Sequence, residues 1–230
     1  PFNGSKLVVG GKVCAIPSAG LTLAPTGLVA STVYYIYAAD VNGDGTVDTL
    51  EASTTGHATD ATSGVEVKSG DSSRTLVGQA RTTSGTAWAD SVTQRFVLSW
   101  FHRQPKRFAK SPGANRTTSS ASLVEYSTAD RVEFLAWAGD APIGLNASVS
   151  VTGTAPASPQ IGLFIDGASD SDLLMLARCE VAGVGYACTP SGAATLAEGY
   201  HTASIGGTNG GATSSTINSS FSTVYGTVMG

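Results

Sequence analysis

Short runs in which β-branched and aromatic side chains alternate with polar ones recur along this chain, each closed by Gly, Ser, Thr, Asp or Pro. That period of two, with frequent turn residues, predicts strands. In the first half they fall at residues 6–17, 33–39, 46–52, 65–68, 75–82 and 95–101. In the last of these Phe96, Leu98 and Trp100 alternate with Val97, Ser99 and Phe101. Both of its faces are therefore expected to be covered. The pattern restarts at 131–138 and continues at 147–152, 161–166, 173–181, 199–205 and 221–229. Residues 173–177, Leu-Leu-Met-Leu-Ala, also fit a short helical turn, because so brief a run has no decisive period.

The prediction is an all-β chain with a small N-terminal β domain at 1–103 and a C-terminal β-sandwich, jelly-roll-like, at 123–230. Between them residues 104–122 carry Lys106, Arg107, Lys110 and Arg116 among Pro105, Pro112 and Gly113, with few apolar positions. This stretch reads as a basic linker, with contact to an acidic neighbouring subunit as an alternative. The final strand is expected to pin the terminus in the sheet.

Composition supports sheet rather than long charged helices. Only 13% of the 230 residues are charged, and 28 are glycine. A net charge of −4 offers no global attraction to nucleic acid. No apolar run approaches the ~20 residues that span a bilayer, so membrane insertion is not expected. The chain opens at Pro1 without a signal-like segment, as a processed or partial chain would. Cys14, Cys179 and Cys188 do not make a disulfide framework. Cys179 and Cys188 face each other across a short predicted hairpin, and two buried thiols are preferred to a bond.

Residues 40–51, Asp-Val-Asn-Gly-Asp-Gly-Thr-Val-Asp-Thr-Leu-Glu, hold the most specific spacing. Asp40, Asn42, Asp44, Asp48 and Glu51 stand where a calcium loop places its ligands, with Gly45 at its sharp turn. A strand precedes the loop instead of a helix, so a bare Gly/Asn/Asp hairpin turn explains the same residues. The two readings stay open; calcium is the only cofactor considered.

Enzyme signatures do not emerge. His57, His102 and His201 have no ligand-spaced partner, and there is no nucleophile elbow, phosphate loop or dinucleotide fingerprint. A glycosidase would need two carboxylates roughly 5 to 9.5 Å apart in a groove. The chain is therefore expected not to be an enzyme. Candidate ligand-binding residues are Trp137, Tyr186, Tyr200, His201 and, in the polar loop at 206–216, Asn209. Aromatic rings and amides of this kind stack on and hydrogen-bond sugars, although each taken singly is more often core or interface.

Several segments together carry a likeness: Ile16-Pro-Ser-Ala-Gly-Leu-Thr-Leu23, Thr32-Val-Tyr-Tyr-Ile-Tyr-Ala38, Leu50-Glu-Ala-Ser-Thr-Thr-Gly-His57, Gly64-Val-Glu-Val-Lys-Ser-Gly-Asp71, Arg74-Thr-Leu-Val-Gly78 and Gln94-Arg-Phe-Val-Leu-Ser-Trp-Phe101. Over residues 8–103 the chain resembles tail-fibre and receptor-binding proteins of tailed bacteriophages. In that family the turn after the Tyr-Tyr-Ile-Tyr strand is often short, so the acidic loop reads as an insertion. Glu198-Gly-Tyr-His-Thr202 and Val224-Tyr-Gly-Thr-Val228 are similar to strands of trimeric fibre tips. The resemblance implies a homotrimer on the virion surface, assembled in the bacterial host cytoplasm. Its implied partners are other phage tail or virion proteins and a host surface glycan or receptor. It brings no catalytic residues. The leading expectation is host attachment; the alternative is a structural virion protein, such as a head fibre, decoration or baseplate component, with no receptor of its own.

Overall fold

The computed structural model describes residues 5–230, the side chain of residue 140 excepted. The chain is all-β. In order, the strands are β1 (Lys6–Val9), β2 (Lys12–Ala15), β3 (Val33–Ala39), β4 (Thr49–Ser53), β5 (His57–Thr59), β6 (Glu66–Lys68), β7 (Asp71–Arg81), β8 (Gln94–Arg95), β9 (Val97–Ser99), β10 (Pro105–Lys110), β11 (Arg116–Thr118), β12 (Val124–Glu125), β13 (Val132–Ala136), β14 (Gly139–Thr152), β15 (Gln160–Ile165), β16 (Ala168–Leu176), β17 (Tyr186–Cys188), β18 (Ser191–Leu196), β19 (Gly199–Gly207), β20 (Ser214–Ile217) and β21 (Thr223–Met229). They form two compact units. One runs to residue 90 and adds 96–104 and 230; the other holds 91–95 and 105–229.

In the first unit β3 lies between β4 and β7, and the far edge of β7 carries β6 and β9. Tyr37, Leu76, Phe96 and Leu98 are fully buried, and the Tyr37 hydroxyl donates to the Thr55 carbonyl at 2.8 Å. Gly78 is required where β7 meets β9, since a Cβ there would stand 2.5 Å from the Leu98 carbonyl oxygen. A smaller core of Leu7, Val9, Cys14, Ala38 and Val47 seats the β1–β2 hairpin. The Thr75 hydroxyl ties that hairpin to β7 by donating to the Val8 carbonyl at 2.6 Å. The long segment before β3 is held by Trp88, whose indole N–H donates to Leu23 O at 2.9 Å, and by Tyr34, whose hydroxyl accepts from Val29 N at 2.8 Å.

The second unit is a sandwich of two sheets. One is six-stranded, in the order β16-β15-β19-β13-β8 with β12 also on β19; the other is seven-stranded, β10-β21-β14-β20-β11 with β17 and β18 also on β14. Phe134 from the first and Phe108 from the second stack at 4.3 Å between ring centroids, with 8° between planes. Val132, Ile161, Leu163, Ala203 and Ile205 join Leu145, Val149, Ile217 and Val224 as the buried aliphatic set. Glycines make room for rings: a Cβ on Gly226 would lie 2.3 Å from Phe108 Cζ, and one on Gly206 2.0 Å from a Phe164 ring carbon.

Two sequence expectations need correction. Residues 104–122 are not a linker: they contain β10 and β11, because Phe108 is a fully buried core side chain within the basic run. Of the two readings open for 173–177, the strand is the one formed: residues 173–176 end β16, with Ile161, Gly162 and Gln160 pairing to Met175, Leu174 and Leu176. The units are also not consecutive in the chain, since β8 pairs in parallel with β13 while β9 returns to β7. At the other end, Gly230 exchanges two 2.9 Å backbone hydrogen bonds with Gln104, continuing the β10–β21 ladder. Cys14, Cys179 and Cys188 are separate, buried thiols.

Truncating Phe108 to Ala is expected to cost about 3–5 kcal/mol, as for a buried aromatic that leaves a cavity. Gly226→Ala is expected to cost about 1–3 kcal/mol through overpacking. Denaturant unfolding of both variants, followed by fluorescence, checks the pair; a neutral Gly226→Ala would contradict the close approach of β21 to the Phe108 ring.

Candidate functional site

The candidate calcium residues lie where β3 turns into β4. Asp40 accepts from Gly43 N at 2.7 Å through one carboxylate oxygen and from Gly45 N at 2.9 Å through the other. Asp48 accepts from Val41 N at 3.1 Å and Asn42 N at 2.9 Å, and these amides hold its carboxyl below the usual carboxylate range. Asp44 accepts from Thr46 N at 2.8 Å. Gly43 and Gly45 both have positive φ, at 73° and 82°, as the turn demands. Glu51 stands on β4 and pairs with Lys68 at 2.5 Å and Arg74 at 2.9 Å. Burial pushes the Glu51 carboxyl up, but the two cations outweigh it and hold it below its ordinary value. Among the described residues, no three His, Cys, Asp or Glu side chains come close enough to hold a metal ion.

The five candidate ligand residues all belong to the second unit but occupy separate places. Trp137 follows β13 and is 7% exposed. Tyr200 and His201 are successive on β19, so they point to opposite faces. The Tyr200 hydroxyl donates to Glu133 at 2.5 Å, and Glu133 also accepts from the Gln94 amide at 2.8 Å. His201 contacts Asp166 at 2.7 Å and the Ala197 carbonyl at 2.9 Å. The Tyr186 hydroxyl accepts from the backbone amides of Glu180 and Val181, both at 3.0 Å, bracing the loop before β17. Asn209 donates to the Ser119 carbonyl at 3.0 Å and accepts from Gly211 N at 3.1 Å.

The basic residues of 104–122 are similarly engaged. Arg116 forms a two-pronged pair with Asp130 at 2.6 and 3.0 Å, and Lys110 donates to the carbonyls of Ala129 and Arg131 at 3.0 and 2.8 Å. Nearby, Arg131 clasps Glu125 at 2.8 and 2.7 Å, and Ser204 also donates to Glu125. The Arg131 guanidinium holds the Glu125 carboxyl below its ordinary range against the opposing effect of burial.

Sequence reasoning missed one cluster in the first unit. His57 Nδ1 lies 2.5 Å from Glu66, and its ring sits against Tyr35 at 5.6 Å and Trp100 at 5.3 Å. The Arg103 guanidinium covers Trp100 at 4.0 Å. The signal available was cross-strand register: β5 pairs with β6, which sets His57 near Glu66. Two open grooves flank β18 in the second unit. One, of about 340 Å³, is lined by Ile165, Ala168, Asp170, Ala194 and Leu196 among others. The other, of about 420 Å³, is lined by Pro142, Ser191, Gly192 and Tyr225 among others.

No family model and no curated protein matches the chain. The solved structures that match include the infectious bursal disease virus VP2 subviral particle, at 11% identity, TM-score 0.38, covering 91% of this chain and 55% of that one. The Gx strain of the same virus matches at 13% identity and TM-score 0.35, with 91% and 55% coverage. Its T13 viral particle matches at 12% and 0.35, with 91% and 52%. This chain thus spans about half the length of the proteins it matches. At TM-scores below 0.5 these likenesses assign no activity.

They do correct the tail-fibre resemblance over residues 8–103, because the matched structures are particles of infectious bursal disease virus and not phage fibres. Host attachment as a phage receptor-binding protein is withdrawn with it. So are the phage tail partners, the host glycan or receptor, and assembly in a bacterial host cytoplasm.

The depressed carboxyls of Glu51, Glu66, Glu125 and Asp130 make a pH prediction. A carboxyl lowered by folding contributes stability above its unfolded value of about 4 and loses it as pH falls through the folded one. Thermal stability should therefore decline below about pH 4. Glu125→Gln should be less stable near neutrality and show a shallower acid decline, as read by calorimetry across that range.

Proposed function

We propose that the chain is a non-enzymatic structural protein of a virus particle, working through contact with copies of itself and without a receptor of its own. One observation carries this reading: side chains of the type that recognise ligands are spent inside the fold. Tyr186 and Asn209 hydrogen-bond backbone, Tyr200 donates to Glu133, and His201 and Trp137 are buried. A phenol or amide bonded in this way stiffens a sheet or loop and is not presented to a sugar. Exposed apolar side chains are what remain for contact. In the second unit Leu176, Val181 and Phe221 are 63%, 55% and 71% exposed. Apolar groups on a surface are available to an interface.

Homotrimeric assembly belongs to the same proposal, and the 40–51 loop enters it as a bare turn with calcium playing no part. Sedimentation of the full chain at micromolar to high micromolar concentration should reveal homo-oligomers, with trimers prominent. A glycan array should give no saturable signal. A chain that stays monomeric throughout and binds a glycan with saturation would sink the reading. In calorimetric titration with calcium, the native chain and Asp44→Ala should give the same, negligible heat; a saturable heat lost in the variant would restore the metal site.

A further inference from the structure

Strand β16 closes one end of the six-stranded sheet, and among the described residues β15 is its one strand partner. From Leu174 onward the pairing continues past the end of the strand without a slip. Leu174, Met175 and Leu176 stand opposite Gly162, Ile161 and Gln160. Ala177 N then donates to Pro159 O at 2.9 Å, and Cys179 exchanges two backbone bonds with Ala157 at 2.8 and 3.0 Å. In an antiparallel ladder the backbone groups of successive residues point alternately toward the neighbour and away from it. Met175, Ala177 and Cys179 point inward. Leu174, Leu176 and Arg178 therefore turn their N–H and C=O groups to the open edge.

Charges, prolines and bulges are what keep an edge from pairing. β16 has such guards in its first half, where Asp170 caps the Asp172 amide at 2.9 Å and the register breaks. From Leu173 to Ala177 it has none, and Met175 and Leu176 are 41% and 63% exposed. Outward backbone groups and apolar side chains thus share one edge, a template for a further strand. The charges at its two ends say which strand. Asp172 precedes the apolar run and Arg178 follows it, both exposed. Lay a second copy of this edge antiparallel to the first, with Met175 opposite Met175. Leu174 then meets Leu176, Asp172 meets Arg178, and the two-fold axis repeats both pairs. The neighbouring registers that also match outward groups set Asp172 against Leu176 or against Glu180 instead. Arg178 Nε donates to Glu180 at 2.5 Å in an exposed pair, which leaves the Nη groups for a carboxylate across the contact.

We propose that the edge at 173–178 pairs with the same edge of a second copy of this chain, two-fold about Met175, joining two six-stranded sheets into one. The inference rests on the reading of the chain as a self-associating structural protein and names a surface through which it associates. An isologous contact of this kind closes on itself and does not propagate into a fibre. Alone it makes dimers; between trimers it makes hexamers.

Two measurements on the full chain test it. In sedimentation, Leu176→Lys should weaken the pairwise step by roughly tenfold or more, since a lysine on the edge opposes pairing. Arg178→Asp should weaken it several-fold, and the exchanged variant Asp172→Arg with Arg178→Asp should recover most of the loss. The second measurement is cross-linking with copper phenanthroline as oxidant, read by non-reducing electrophoresis against the native chain. Met175 faces its own copy as a non-hydrogen-bonded pair, whose Cα atoms stand about 4.5 Å apart, within reach of a disulfide. Met175→Cys should therefore give a covalent dimer, and faster than Leu176→Cys, although residue 176 is the more exposed. Faster linkage at 176 overturns the pairing. Oligomers unchanged by Leu176→Lys and unlinked at 175 overturn this contact and leave the structural reading standing. A native chain that stays monomeric overturns the contact whatever the fate of that reading.

Discussion

The face-to-face contact of Phe108 with Phe134 is the constraint around which the second unit is organised. Two sheets that present apolar faces must bury them against each other, and these rings span the gap between β10 and β13. The requirement propagates outward. β21 must carry glycine at 226, since any side chain there would collide with the Phe108 ring and with the Pro142 carbonyl. β10 must be a strand despite its basic residues, because its fourth residue is the ring that fills the core. His201, cross-strand from Phe134, is thereby drawn to the inner side of β19, where its polar atoms need partners.

Most polar groups that burial places inside meet an internal partner, the side-chain amide of Gln79 on β7 being an exception among the described residues. Arg131 with Glu125, Arg116 with Asp130, and Tyr200 with Glu133 are cases in the second unit; Lys68 and Arg74 with Glu51 are the counterpart in the first. The same economy governs strand edges, which invite unwanted pairing unless blocked. The free side of β10 is capped by the preceding segment, with Ala109 N donating to Val92 O at 2.9 Å and Arg95 Nε to Arg107 O at 2.7 Å. β16 breaks register against β15 between Gly162 and Phe164, at the level where it carries Asp170 and Asp172.

Much of the strand pattern was legible because alternation survives translation into faces. The run at 33–39 became β3 with the bounds that alternation suggested, and 199–205 became most of β19. The failures have physical causes. In Pro105-Lys-Arg-Phe-Ala-Lys110 one aromatic outweighs three cations, since long basic side chains can reach past an edge to carbonyls while the backbone stays in the ladder. The run at 173–177 was not a failure: it was expected as a strand and joins β16, although apolar residues on consecutive positions had left a helical turn open beside it. The excursion of 91–95 left no trace in composition. Of the candidate site residues, sequence identified polar and aromatic positions correctly as chemical types, but it carried no information about their partners. Asp166 with His201 joins residues 35 apart, and Glu133 with Tyr200 joins residues 67 apart.

That short excursion has a consequence for how the molecule can be divided. Residues 91–95 leave the first unit, run beside β13, and return as β9 before the second unit has otherwise begun. No single cut in the polypeptide yields both bodies whole. A fragment begun at 105 lacks β8 and the cap on β10, and one ended at 90 lacks β9. During synthesis, the five-residue loop emerges long before the strand it must join, so its docking waits on residues some forty positions downstream. The two units are thus interleaved in sequence.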